Sequence, residues 1–451
     1  MPDIHRRDFL GALAALPLAG RLRPRRIIPL PSPSQLVWQR DELALFLHFG
    51  VNTFSNREWG DGREDPASFN PTALDAREWA RVARRAGFKA MILTAKHHDG
   101  FCLWPTATTR HSVASSPWRG GQGDLVREFT DACRAEGLRA GLYLSPWDRN
   151  ATVYGDSPAY DAFYLEQLTE LLTRYGPIHE VWFDGANGEG PNGRRQVYDW
   201  DRYWGTVRRL QPDAVMFSDA GPDVRWIGNE RGVAGETNWS TVDPTIVTRP
   251  GMTGDEVMRS LTEGDRRGTV WRPGETDTSI RPGWFWHPEE DDRVRSVDDL
   301  EQLFFTSVGR NSKLLLNVPP TRDGVIHPTD AARLMGMRER LDRRFGSRHR
   351  SREEGWLRHP NGVVETVVEF AAPVEVGFID VREQIERGQC VAAHRIEALT
   401  GDGWHEVARG TTIGYRRLHA VAPIRTTSLR VLVTEAVADP WVVTLEAHPP
   451  G

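Results

Sequence analysis

The segment Val181-Trp182-Phe183-Asp184-Gly185 ends a short apolar run on one carboxylate, and a glycine follows. At the C-terminal end of a strand in an α/β barrel, such an aspartate faces the substrate and can act as a nucleophile. Taken alone, it could equally be a loop-capping aspartate. It has company, because three earlier strand-like runs also end in polar or aromatic groups. These are Leu45-Phe46-Leu47-His48-Phe49-Gly50, Ile92-Leu93-Thr94-Ala95-Lys96-His97-His98-Asp99-Gly100 and Ala140-Gly141-Leu142-Tyr143-Leu144-Ser145-Pro146-Trp147. Cleaving a glycosidic bond with retained configuration needs two carboxyl groups about 5–5.5 Å apart. One attacks the anomeric carbon; the other protonates the leaving oxygen and later activates water. Asp184 suits the first role. For the second, Glu230, Glu236 and Glu275 lie in segments dense in Trp and Gly, and their spacing does not choose among them.

His97 and His98 are consecutive, so in a regular strand they point to opposite faces. That disfavours a shared metal unless the strand has already ended. No HxH or HExxH pattern occurs, and no metal or other cofactor is expected. Together with His48, these histidines could instead hydrogen-bond sugar hydroxyls, or be satisfied core residues. A metal-dependent barrel hydrolase using His48, His97, His98 and Asp184 is a weaker alternative. The chain has 17 tryptophans against 8 tyrosines. An indole offers a flat apolar face and one N–H donor, which suits the C–H face of a sugar, although many will simply be core.

The elements that must hold these groups alternate. Strand-like runs at 44–49, 89–97, 139–146, 180–184 and 214–219 are separated by helical stretches over Leu74 to Gly87, Asp124 to Gly137 and Ala159 to Tyr175. Such alternation predicts βαβ units and a parallel sheet, closed as a (β/α)8-like barrel over 34–345. Residues 226–295 are rich in Gly, Pro, Trp and charge and read as long loops at the barrel mouth; Lys313 to Val318 is the last strand candidate. Beyond residue 345 short alternating runs predict a C-terminal antiparallel β-sandwich over 346–451.

With 451 residues the chain accommodates a barrel and a second module. Apolar content of 39% and charged content of 26% are those of a soluble globular protein. A net charge of -5 without a basic stripe beyond the N-terminus argues against a nucleic-acid partner. Three cysteines without CxxC spacing exclude a disulfide framework and disfavour a thiolate zinc site. Residues 1–33 read as an export leader: Arg6-Arg7 precede a short apolar run, which resembles a bacterial twin-arginine signal. That run is shorter than the roughly 20 residues a spanning helix needs, so a periplasmic or secreted location without membrane insertion is expected.

Leu47-His48-Phe49-Gly50, Arg57-Glu58-Trp59, Ala95-Lys96-His97-His98-Asp99-Gly100-Phe101 and Val181-Trp182-Phe183-Asp184-Gly185, in this order, resemble the α-L-fucosidases of glycoside hydrolase family 29. The resemblance implies a retaining exo-glycosidase acting on fucosylated oligosaccharides or glycoconjugates. It implies Asp184 as nucleophile, and His48, His97 and His98 on fucose hydroxyls. Glu58 and Trp59 would be a polar and aromatic pair on the sugar, with Tyr143 and Trp182 beside its ring. The segments around Gly228-Asn229-Glu230 and Ser279 to His287 are similar to the subgroup preferring α1,3/4-linked fucose. That likeness implies Glu230 as acid/base, Glu275 in reserve, and Trp284 at the +1 region. A fucosylated-glycan-binding barrel without turnover is the alternative.

Overall fold

The computed structural model describes residues 28–359, 363–440 and 443–451; the leader expected over 1–33 lies outside the described residues as far as residue 27. The described chain enters its first helix at residue 33, beside the barrel start expected at 34. Helix α1 (Pro33–Asp41) begins there, with the Ser32 side chain capping Gln35 N–H and the Gln35 side chain capping Ser32 N–H.

Eight parallel strands close the barrel: β1 (Leu43–Leu47), β2 (Ala90–Lys96), β3 (Arg139–Leu144), β4 (Glu180–Trp182), β5 (Val215–Ser218), β6 (Val224–Trp226), β9 (Gly274–Ser279) and β10 (Ser312–Asn317). A two-stranded ribbon, β7 (Thr241–Val242) with β8 (Val270–Trp271), is inserted between β6 and β9. Around the barrel lie α2 (Val51–Ser55), α3 (Ala76–Arg85), α4 (Leu125–Glu136), α5 (Ser157–Arg174), α6 (Trp200–Leu210), α7 (Asp255–Glu263), α8 (Val297–Thr306) and α9 (Pro328–Phe345). Local chemistry sets several ends. Asp75 and Asp124 cap α3 and α4 through their carboxylates, and Gly137 closes α4 in the left-handed conformation. Between β5 and β6 there is no helix, so the barrel departs from strict strand–helix alternation.

Side chains along β1 alternate as a strand must. Leu43, Leu45 and Leu47 pack outward with the helices, while Ala44 and Phe46 join an inner cluster with Tyr143, Trp182, Phe217 and Leu315. Extending that period of two carries the inner row of each strand to the mouth: Phe46 to His48, Trp182 to Asp184, Leu315 to Asn317. The expected loop region conceals β9. Gly274-Glu275-Thr276-Asp277-Thr278-Ser279 is a fully buried central strand, pairing β10 from Ser312 to Asn317. It has no apolar run because its inward residues are polar and find partners inside the barrel.

The C-terminal domain is one antiparallel sheet of six strands, β11 (Ser351–Arg358), β12 (Val364–Glu383), β13 (Val391–Thr400), β14 (Gly403–Gly410), β15 (Arg417–Ala436) and β16 (Val443–His448). The paired strands β12 and β15 shift register between Glu369 and Val374 and again between Val376 and Phe378. One arm carries β11 and β13 and the other β16, and side chains from both arms share one core. A single folded sheet therefore does the work of the expected sandwich. The domain meets the barrel away from its mouth, through Arg416 on Glu42, Phe345 on Phe378, and Thr411 on Thr237.

Candidate active site

A cavity of about 180 Å3 opens at the C-terminal ends of the strands. It is lined by His48, Trp59, His97, His98, Tyr143, Trp182, Asp184, Glu230 and Trp284 among the expected residues, together with Phe46, Ala186 and Asp277. Glu58 alone among the expected site residues is not in the wall. Its carboxylate accepts the backbone N–H groups of Trp284 (2.9 Å) and Phe285 (3.1 Å) and lies 2.7 Å from His287 Nε2. It therefore holds the loop that presents Trp284.

Asp184 sits just past β4. Its Oδ1 accepts the Ala186 N–H at 2.7 Å and its Oδ2 the Tyr143 hydroxyl at 3.0 Å. His98 Nε2 is 3.8 Å from Oδ2. Burial raises the Asp184 pKa, and the two hydrogen bonds oppose that by favouring the charged form. Gly185 is required by crowding: a Cβ there would stand 2.8 Å from Gly251 N and 3.0 Å from Asp219 Oδ2.

Lys96 ends β2, so His97 and His98 lie beyond the strand and both reach the cavity, their rings 4.1 Å apart. The opposite-face expectation holds only inside regular strand. Burial brings His48 and His98 down to about 3 and His97 well below the ordinary range, so all three are neutral near pH 7. Asn317 orients His48. Its amide nitrogen donates to Ser279 Oγ and Trp284 O, which leaves Oδ1 to accept from His48 Nδ1–H at 2.8 Å. Ser145 donates to Trp147 O and accepts from His98 Nδ1–H at 2.7 Å. Each of these rings is left with a bare Nε2, an acceptor for a hydroxyl.

Three glutamates were open for the acid/base role, and the fold separates them. Glu230, on the loop after β6, lines the cavity. Burial raises its pKa, a hydrogen bond from Trp284 lowers it, and the charges of Asp184 and Glu58 raise it again. Glu236 lies at the domain interface, paired with Arg310 and Arg417. Glu275 is inside β9, wholly buried, accepting Trp182 Nε1–H at 3.0 Å beside Lys313; the loop position expected for it is corrected.

Asp277 is the wall carboxyl that sequence reasoning missed. It stands two residues beyond Glu275 on the same inward row and accepts Trp226 Nε1–H at 2.8 Å. Burial, and next the charge of Glu230, raise its pKa well above the ordinary carboxylate range. The alternation Glu275-x-Asp277-x-Ser279 is the signal that could have revealed both the strand and this residue.

The chain matches the Alpha-L-fucosidase family model over residues 48–344. It is 43% identical to α-L-fucosidase 1 of Arabidopsis thaliana, across 93% of this chain and 87% of the relative. This chain belongs to the α-L-fucosidase family. A crystal structure of a glycoside hydrolase 29 member from a rumen bacterium is 40% identical, with a TM-score of 0.86 over 94% of this chain and 78% of that one. A Ruminococcus gnavus fucosidase of the same family, in complex with fucose, is 28% identical, with a TM-score of 0.84 over 95% of this chain and 96% of the other. The enzyme is thus a fucose-releasing glycoside hydrolase, and the wall residues of its α-L-fucosidase barrel come entirely from residues 46–284.

Proposed function

We propose that the enzyme removes terminal α-linked L-fucose with retention, through a covalent fucosyl intermediate on Asp184 and with Glu230 as acid/base. The observation that carries this reading is that Asp184 and Glu230 face one cavity. Burial raises both carboxyls; at Asp184 the Ala186 N–H and the Tyr143 hydroxyl oppose it, while at Glu230, beside one opposing bond from Trp284, the charges of Asp184 and Glu58 add to it. In the first step an Asp184 oxygen bonds to the anomeric carbon, and the leaving oxygen takes the Glu230 proton. In the second, Glu230 draws a proton from water, which displaces Asp184. Asp277 fits the acid/base role less well. It stands within β9 rather than on a loop, and its carboxylate already accepts Trp226 Nε1–H.

His48, His97 and His98 are assigned to the fucose hydroxyls, Trp59, Tyr143 and Trp182 to its ring, and Trp284 to the sugar beyond the scissile bond, with Glu58 holding the Trp284 loop. A preference for α1,3/4 linkages rests on the Gly228-Asn229-Glu230 and Ser279 to His287 segments, and export to the periplasm or medium on the paired arginines at 6 and 7. A 2-fluoro-fucosyl fluoride tests the core of the proposal. It should label the peptide containing Asp184, and label on any other residue would refute the assignment.

A further inference from the structure

A second, larger cavity of about 480 Å3 shares a wall with the first. Ala186 faces the sugar pocket while its neighbours Gly185 and Asn187 face the second cavity, so only this strip of chain separates them. The strip is braced. Tyr198 donates its hydroxyl to Ala186 O at 3.0 Å, Trp147 donates its indole N–H to Glu189 O at 3.1 Å, and the Arg249–Gly251 loop closes on Gly185 through Gly251 N–H on Asp219 at 2.8 Å. Half-buried Tyr198 and Trp200 offer aromatic faces, and Val197 is exposed to 75%. Two exposed arginines, Arg195 and Arg249, line the same cavity. Among the described residues neither has a carboxylate within ion-pairing distance, although acidic groups outnumber basic ones in the chain. The backbone of Arg195 pairs with Glu189 without an ion pair forming, and Asp219 is occupied by Gly251.

Aromatic faces beside unpartnered guanidinium groups suit a sugar bearing an anion, since a guanidinium fork matches a planar carboxylate or a sulfate. We propose that this cavity is an aglycone subsite for an anionic substituent, a carboxylate or a sulfate ester, on the glycan from which fucose is removed. The proposal deepens the fucosidase reading and rests on Asp184 marking the cleavage point.

The test compares kcat/KM on three fucosylated oligosaccharides of one core: neutral, sulfated, and carrying a carboxylated sugar beyond the fucose-bearing residue. An aryl fucoside, which has no glycan beyond fucose, serves as reference. At low ionic strength an anionic substrate should be favoured over the neutral one by about fivefold, the scale of two exposed ion pairs. Whether the sulfated or the carboxylated substrate gains identifies the anion. The advantage should vanish in 0.5 M salt on wild-type protein, and in the Arg195→Gln/Arg249→Gln variant relative to the aryl reference. Equal or better use of the neutral substrate by wild-type enzyme overturns the subsite, as does an advantage that survives both salt and the double substitution. If fucose is released from none of these substrates, the aryl fucoside included, the fucosidase reading itself fails.

Discussion

Two groups of carboxyls occupy the same barrel, one buried inside it and one at its mouth. Deep inside, Glu180 accepts Trp38 Nε1–H at 2.9 Å and Lys313 Nζ at 2.8 Å, while Glu275 accepts Trp182 Nε1–H at 3.0 Å with Lys313 3.7 Å away. At the mouth, Asp184, Glu230 and Asp277 have hydrogen bonds but no cation at ion-pairing distance among the described residues, the neighbouring His98 being neutral. The inner group has Lys313 as its counter-charge, and burial, then the charge of Glu180, raise the Glu275 pKa well above its ordinary range. Nothing there is left to react. The outer group is left uncompensated, which costs stability and provides reactive carboxyls. The difference teaches that burial alone does not mark a catalytic carboxyl; missing counter-charge at an open cavity does.

The sharpest way to break this contrast is at Asp184. Asp184→Ala should lower kcat on the order of 10^4-fold while leaving the unfolding midpoint close to wild type. Unchanged turnover on an aryl fucoside would remove Asp184 from the chemistry. The mirror experiment lies below it. Lys313→Met strands Glu180 in the barrel interior without its cation and should lower stability by about 3–5 kcal/mol in denaturant titration, with turnover per folded molecule nearly retained. A midpoint equal to wild type would show that the inner cluster is not balanced by charge.

Next in size, Glu230→Gln should slow release from oligosaccharides by about 10^2- to 10^4-fold yet act far less on an aryl fucoside with a good leaving group, which needs little protonation. Equal losses on both substrates would argue for a binding role instead. The mildest change refines the outer group. Tyr143→Phe deletes a donor to the charged form of Asp184 and should reduce kcat about tenfold. It should also move the acid limb of the pH profile upward, because losing a bond to the charged form raises the carboxyl pKa further. An acid limb that stays in place, with chemistry rate-limiting, would detach Tyr143 from Asp184.

Much of the mouth was legible from residue order. Apolar runs ending at His48, Lys96, Leu144 and Trp182 are contiguous in sequence, so the chemistry next to them could be read as strand-end chemistry. The strand β9 could not, because its inward residues are polar and the partners of its carboxyls, Lys313 and Trp182 for Glu275 and Trp226 for Asp277, belong to other strands. β14 escaped for a related reason: Gly403–Gly410 has no fully buried residue and carries no clean alternation. The sheet domain had the expected hydrogen-bonding sense, but its folding over at the β12 and β15 register shifts depends on two long strands bending together.

By itself the amino-acid order determined the alternating barrel, the antiparallel tail, the family motifs and the aspartate at 184, since each is a property of contiguous residues and short-range period. Only the tertiary structure separated the three glutamates in space. It brought Glu230 to the cavity, tied Glu236 to Arg310 and Arg417, and enclosed Glu275 in β9. It also added Asp277 to the wall and turned Glu58 toward the Trp284 loop. The physical reason is that a carboxyl's protonation and reach are set by burial and by partners far away in sequence, and those exist only once the strands have closed.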